Sequence, residues 1–249
     1  MRDFWQAAPA YGMHPQDLAM VRAEPSKYAH RYVDWNQQEA AANTLPGVQI
    51  LHVGLHPQPF IGDTETALVF IVHGNPGFSP QDYQDEFANP AHAETCAANL
   101  RGAQGGFFPL GPASAGSGAA NYWLRVFGKP INELARLRGI APEDARQLII
   151  RHVAVIESCA YHSGRTPGPW TDELPSSRAA VQHVRQVVLP RARRGESLVI
   201  VWRRGAPYWG TGDRNPNIQV RSSHEAQCPT LLARERPLIV NFLNQHAPP

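Results

Sequence analysis

The chain has 249 residues, 43% of them apolar and 18% charged, with a formal net charge of +2. At roughly 150 residues per domain this is one large domain or two small ones, with enough apolar surface to exclude disorder as the main state and too little net charge for a basic tail. Cys96, Cys159 and Cys228 are three and far apart, which argues against a disulfide framework, a CxxC zinc or redox site, or a four-thiolate iron–sulfur cluster.

The first 45 residues mix aromatic and polar side chains, and the sequence predicts one or two peripheral helices broken at Pro25, within an extension covering 1–47. Residues 48–61 read as a short irregular hairpin. Ala67 to Val72 is the strongest strand, a continuous apolar run of the kind buried on both faces of a parallel sheet. It stops at His73-Gly74-Asn75-Pro76-Gly77-Phe78, and Ser79-Pro80-Gln81-Asp82 then opens a helix with an N-cap, a proline and a carboxylate. Residues 102–121 are rich in Gly, Ala and Ser and read as a long surface loop. Pro142-Glu143-Asp144 begins a helix leading to a second strand, Val153 to Ile156, followed by Glu157-Ser158-Cys159-Ala160-Tyr161-His162-Ser163. A helix near 176–189 precedes a third strand, Leu198 to Trp202, then Arg203-Arg204-Gly205. A fourth, Ile218 to Arg221, is followed by Ser222-Ser223-His224, and a helix around 237–245 ends the chain.

Alternating strands and helices call for a single α/β domain over 1–249, with its core at 48–249 and a four-stranded parallel sheet joined by right-handed crossovers. Ligands of such sheets sit beyond the carboxyl ends of the strands. The polar clusters follow the strands, so folding is expected to gather them on one rim. No apolar run reaches 18 residues, which excludes a membrane-spanning helix. The start lacks the apolar stretch of a signal peptide, and the expected setting is cytoplasmic.

The His-Gly-Asn-Pro-Gly segment has several readings. An α/β-hydrolase oxyanion loop needs a downstream nucleophile elbow, but Ser114 and Ser117 follow no strand, which leaves that class third. The dinucleotide fingerprint fails for lack of GxGxxG, and GPASAGSG has no lysine to complete a phosphate loop. A plain tight turn is the bland reading.

IVHGNPGFSPQDY resembles the first motif of the uracil-DNA glycosylase superfamily, whose thymine/mismatch-specific and single-strand-selective branches carry Gly-x-Asn-Pro-Gly after strand one. ESCAYHS is similar to the segment after strand two in other members, and SLVIVWRRGAPYW to their third strand; the likeness runs from about residue 57 to 230. It implies a three-layer α/β/α sandwich with sheet order 2-1-3-4. By this resemblance Asn75 positions the attacking water, and His224 falls where many members carry a catalytic or base-contacting histidine. This chain has His-Glu-Ala there in place of His-Pro-Ser.

The implied activity is monofunctional hydrolysis of the N-glycosidic bond of uracil or another altered pyrimidine in DNA, by a monomer using no metal or organic cofactor. Only Lys27 and Lys129 exist and neither lies in a rim motif, which leaves Schiff-base lyase chemistry unsupported. Gly74, Pro76 and Gly77 belong to the turn, whose N–H groups suit a developing anion. Phe78, Phe107 and Phe108 are candidates to stack on a flipped base. Glu157 is a candidate acceptor for a cytosine amino group, and with the small Gly77 it motivates a 5-modified cytosine as the alternative substrate. Tyr161 and His162 are candidates for contact with base or phosphate. Arg203, Arg204 and Arg221 are candidates for phosphate contacts, with Ser222 and Ser223 beside them. A catalytically inactive nucleic-acid-binding protein of the same fold is the remaining alternative.

Overall fold

The computed structural model describes residues 1–6, 8–28, 31–33, 50–103, 106–165, 167–212 and 214–248. The central element is a five-stranded sheet. Its strands are β3 (Phe60–Ile61), β4 (Val69–His73), β5 (Val153–Glu157), β6 (Leu198–Val201) and β7 (Ile218–Val220), in the order β3-β5-β4-β6-β7. Four run parallel, and β3 adds an antiparallel edge beside β5, Phe60 opposite Ile156. The expected sheet of four strands is therefore corrected to five. A two-residue edge strand is too short to carry a period that sequence reading detects. The expected hairpin over 48–61 also fails. β2 (Leu51–His52) pairs with β1 (Tyr32–Val33) in parallel instead, and β3 joins the main sheet.

The central strands are apolar on both faces because both are covered. Val69, Ile71, Val153, Val155, Leu198 and Ile200 face one core. It is closed by the helices Gly118–Arg138, Pro142–His152 and Glu235–His246. Phe70, Val72, Ala154, Ile156, Val199 and Val201 face a second core. That face is covered by Pro175–His183, a π-helical turn Val184–Val188, and Leu189–Arg193. The π-turn divides the helix expected near 176–189. It ends just before Pro190, whose missing N–H removes one rung of an α-helical ladder.

The N-terminal helices Arg2–Gln6, Pro15–Ala23 and Pro25–Tyr28 break at Pro25 as expected. Trp5, Val21 and Tyr28 bury against Phe60, Tyr161 and Leu174 in a third core, so the extension is packed on the domain. The remainder of the expected extension, 34–47, lies outside the described residues.

The Gly-rich stretch at 102–121 is not a surface loop in its described part. Phe107, Phe108 and Leu110 are sealed in the first core, and Gly118 already begins a 21-residue helix. Deleting a buried phenylalanine costs about 3–5 kcal/mol, reason enough for Phe107 and Phe108 without a stacking role. Both are removed from the base-stacking candidates.

Candidate active site

Beyond the carboxyl ends of β4, β5 and β6 lies a cavity of about 530 Å³. Its floor is the turn that leaves β4. The segment after β5 laces this turn down: Ser158 N–H donates to His73 O (3.1 Å), Cys159 N–H to Gly74 O (2.9 Å) and Ser163 N–H to Pro76 O (3.1 Å). The Ser158 hydroxyl adds a 2.6 Å bond to Gly74 O, and His162 Nδ1 lies 2.8 Å from Gly77 O. Two loops distant in sequence thus form one scaffold because their parent strands are adjacent and in register.

Asn75 is buried in this scaffold, its amide nitrogen 2.8 Å from Pro76 O and 3.2 Å from Ser163 O. Both partners are carbonyls and only accept, so the NH2 must face them and Oδ1 must face away. No described residue donates to Oδ1. The N–H groups of Gly77 and Phe78 also donate to no described residue. Gly77 is exposed with open space where a Cβ would stand. Phe78 is half-buried, lines the cavity and stacks on His52, with centroids 3.4 Å apart and planes within 10° of each other.

Glu157 ends β5 opposite His73, its Oε2 3.0 Å from His73 Nδ1. It is buried and lines the cavity. Gln58 contributes an amide, and Ile61, Tyr122 and Trp123 contribute apolar wall. Tyr122 donates to Pro229 O at 3.0 Å. Burial, reinforced by Glu157, pushes its phenol up to about 12. Beneath Phe78, burial and then the neighbouring His162 hold His52 down to about 4.

The cavity has an electrical polarity. Asp82, Asp85 and Glu86 line one wall, and each carboxylate is engaged. Asp82 accepts from Ser79 N–H (2.6 Å), Asp85 from Gly118 N–H (2.7 Å), and Glu86 meets His56 Nδ1 at 2.7 Å. Burial raises the pKa of Asp82. Asp82 thus caps a helix start as its place in the first turn predicts, whereas Glu86 serves the His56 contact. Arg125, Arg165 and Arg203 line the same cavity, and none has an ion pair with a described residue. Among the described residues no group of three or more His, Cys, Asp or Glu side chains is arranged to hold a metal ion. Neither lysine lines the cavity.

Of the residues singled out from sequence, Asn75, Pro76, Gly77, Phe78, Glu157, His162 and Arg203 line the cavity together, with Gly74 buried in the turn beneath. Others do not belong. Tyr161 is 1% exposed, and its hydroxyl donates to Asp17 (2.5 Å) and accepts from His14 N–H (2.9 Å), pinning the N-terminal helices. Arg204 is spent on Asp172 (2.8 Å) and the face of Tyr208 (5.0 Å). Arg221 is buried in a pair with Glu235 (2.6 Å) and lies 4.1 Å over Trp202. Ser222, Ser223 and His224 are exposed and outside the cavity, and Ser222 caps the short turn at Glu225. Arg125 and Arg165 went unforeseen, since one lies on a helix face and the other in a loop without a motif. His73 opens the His-Gly-Asn-Pro-Gly segment but drew no role of its own from the sequence.

No family model, no curated protein and no solved structure matches the chain.

Proposed function

We propose that the chain is a monofunctional DNA glycosylase that hydrolyses the N-glycosidic bond of uracil or another altered pyrimidine, acting as a monomer on DNA. On this reading the α/β core is the three-layer sandwich of the uracil-DNA glycosylase superfamily, with β3 as an added edge. The observation that carries it is Asn75. Its amide nitrogen is committed to two carbonyls, and its oxygen is turned toward a cavity that has room for a base.

Cleavage of the C1′–N1 bond gives an oxocarbenium-like sugar and an anionic base. A water on Asn75 Oδ1 is held for addition to C1′, though an amide is too weak a base to deprotonate it beforehand. The N–H groups of Gly77 and Phe78, which have no acceptor among the described residues, suit the negative charge developing on the base. Phe78, backed by His52, offers a π-face to a base taken out of the stack. Arg125, Arg165 and Arg203, without an ion pair among the described residues, suit the flanking phosphates. The absence of a cavity-lining lysine supports hydrolysis over Schiff-base lyase chemistry.

The test is incubation with oligonucleotides carrying uracil, thymine mismatches and 5-modified cytosines, followed by alkaline cleavage of abasic sites. Strand cleavage on at least one substrate is expected. Binding without cleavage on all of them rejects the enzyme in favour of a nucleic-acid-binding protein.

A further inference from the structure

His224 lies exposed and outside the cavity, so the group that meets the departing base must come from elsewhere. Four other histidines lie in or near the cavity, each with a ring nitrogen or ring face already engaged. His162 has Nδ1 on Gly77 O, and its Nε2 is sealed from solvent without a partner. His52 is stacked under Phe78. His56 is paired with Glu86, and His92 with Ser114 (3.0 Å) and Cys96 (3.7 Å).

His73 differs from all of them. Its Nδ1 lies 3.0 Å from Glu157 Oε2 and 3.2 Å from Asn75 O. Both are acceptors, so Nδ1 carries a proton in either charge state of the ring. Nε2 then points away from the pair, has no partner among the described residues and is not sealed off. The ring is held edge-on to Trp202, centroids 5.8 Å apart and planes at 69°. One turn therefore braces both this imidazole and the Asn75 amide. The other charged or titratable groups lining the cavity are Arg203 past β6, Tyr122 and Arg125 on the long helix Gly118–Arg138, His162 and Arg165 after β5, and the engaged carboxylates of Asp82, Asp85 and Glu86.

Resting on the glycosylase reading, we propose that His73 is the catalytic residue that stabilises the departing base, with Glu157 as its positioning residue. In the imidazolium form Nδ1–H is paired with the Glu157 carboxylate and Nε2–H donates to a carbonyl oxygen of the base. As the C1′–N1 bond breaks, its electron pair passes to N1 and spreads to that oxygen, which takes the Nε2 proton. The water on Asn75 adds to C1′, and its released proton returns to Nε2 through solvent. One water is consumed, and the products are an abasic sugar and a neutral base.

A help given to the leaving base matters most when the base leaves poorly. Single-turnover release should be compared for uracil and for 5-fluorouracil, whose fluorine stabilises the departing anion. His73→Gln is expected to slow uracil release about 10²–10³-fold, the scale of losing one preorganised donor. The loss on 5-fluorouracil should be distinctly smaller, and KM should change little. Glu157→Gln keeps an acceptor for Nδ1 but removes the charge, so it should show the same pattern more weakly. Equal losses on both bases overturn the proposal, because a structural role does not sense the leaving group. If the wild type acts only on thymine or a 5-modified cytosine, the same comparison is made between that base and its 5-fluoro counterpart; if it releases no base at all, the glycosylase reading fails and the catalytic role with it. Nitrogen-15 NMR of labelled histidine then reads the pair alone: a neutral His73 protonated on Nδ1 upholds the geometry, and one protonated on Nε2 rejects it.

Discussion

Arg203 and Arg221 each follow the end of a parallel strand, one after β6 and one after β7, yet they do opposite work. Arg203 lines the cavity and has no ion pair among the described residues. Arg221, 4% exposed, gives its whole guanidinium to Glu235 and to the carbonyls of Cys228 and Thr230, and so ties the terminal helix to the sheet. Gathering polar residues at the carboxyl edge of a sheet is a topological effect. Whether they form a site or a brace is decided by whether a buried partner is within reach.

The contrast breaks most visibly at the brace. Arg221→Met should destabilise the protein by about 3–5 kcal/mol, because it leaves the Glu235 carboxylate buried and unpaired. Urea unfolding reads this directly, and adding Glu235→Gln should return part of the loss. Base release per folded molecule should be unchanged; a stable but inactive Arg221→Met would return Arg221 to the site.

Asn75→Ala is the complementary test. It should lower base release about 10²–10³-fold, with only about 1–3 kcal/mol lost, because Ser163 O loses its amide partner while Pro76 O keeps the bond from Ser163 N–H. Full activity in a folded variant would remove the amide from the mechanism.

Acid probes both regions together. His52 near the cavity and His183 on the opposite helical layer are each held near 4, His52 by burial and then His162, His183 by burial and then the N-terminal charge. An unfolded histidine titrates near 6.5, so between about 6.5 and 4 the unfolded chain binds more protons than the folded one. Stability should be fully present above about 6.5 and fall as the pH drops toward 4, by on the order of a few kcal/mol. Urea midpoints at pH 7 and pH 5 measure the fall, and His183→Gln should lessen it. A rising midpoint on acidification would contradict both assignments.

The smallest expected effect belongs to the rim. Arg203→Ala should reduce the slope of log affinity against log salt by about one for a DNA ligand and leave stability alone. Arg204→Ala should leave that slope intact, since its charge is already spent on Asp172. If the two exchange results, the division between free and engaged arginines is wrong.

The four parallel strands of the main sheet, the turn after β4 and the rim formed by three of the four polar clusters were legible because each rests on local pattern: an apolar run, a Gly–Pro turn, a capped helix start. What escaped depended on contacts between distant segments. Arg204 and Arg221 look like phosphate ligands until Asp172 and Glu235, 32 and 14 residues away, claim them. Tyr161 sits in the polar segment after β5, but its partner is Asp17, 144 positions away. Phe107 and Phe108 follow a Gly-rich tract whose composition signals a loop, while the wall they pack against is built by helices later in the chain. His73 was hidden for a different reason: its value lies in the residue across the ladder, Glu157, and strand register is not written in a single strand.

The Asn75-Pro76 bond has a further consequence, for the working lifetime of the molecule. An asparagine amide is ordinarily lost when the nitrogen of the following residue attacks the side chain and closes a succinimide ring. Proline at position 76 supplies a nitrogen with no proton to shed and a locked φ. The amide under threat is moreover held by two carbonyls that would have to release it first. Had the amide hydrolysed, a carboxylate would stand against those same two oxygens, with repulsion in place of two hydrogen bonds. The turn that aims the amide also protects it from slow ageing to aspartate, so a preparation of this protein should lose Asn75 later than an asparagine followed by glycine.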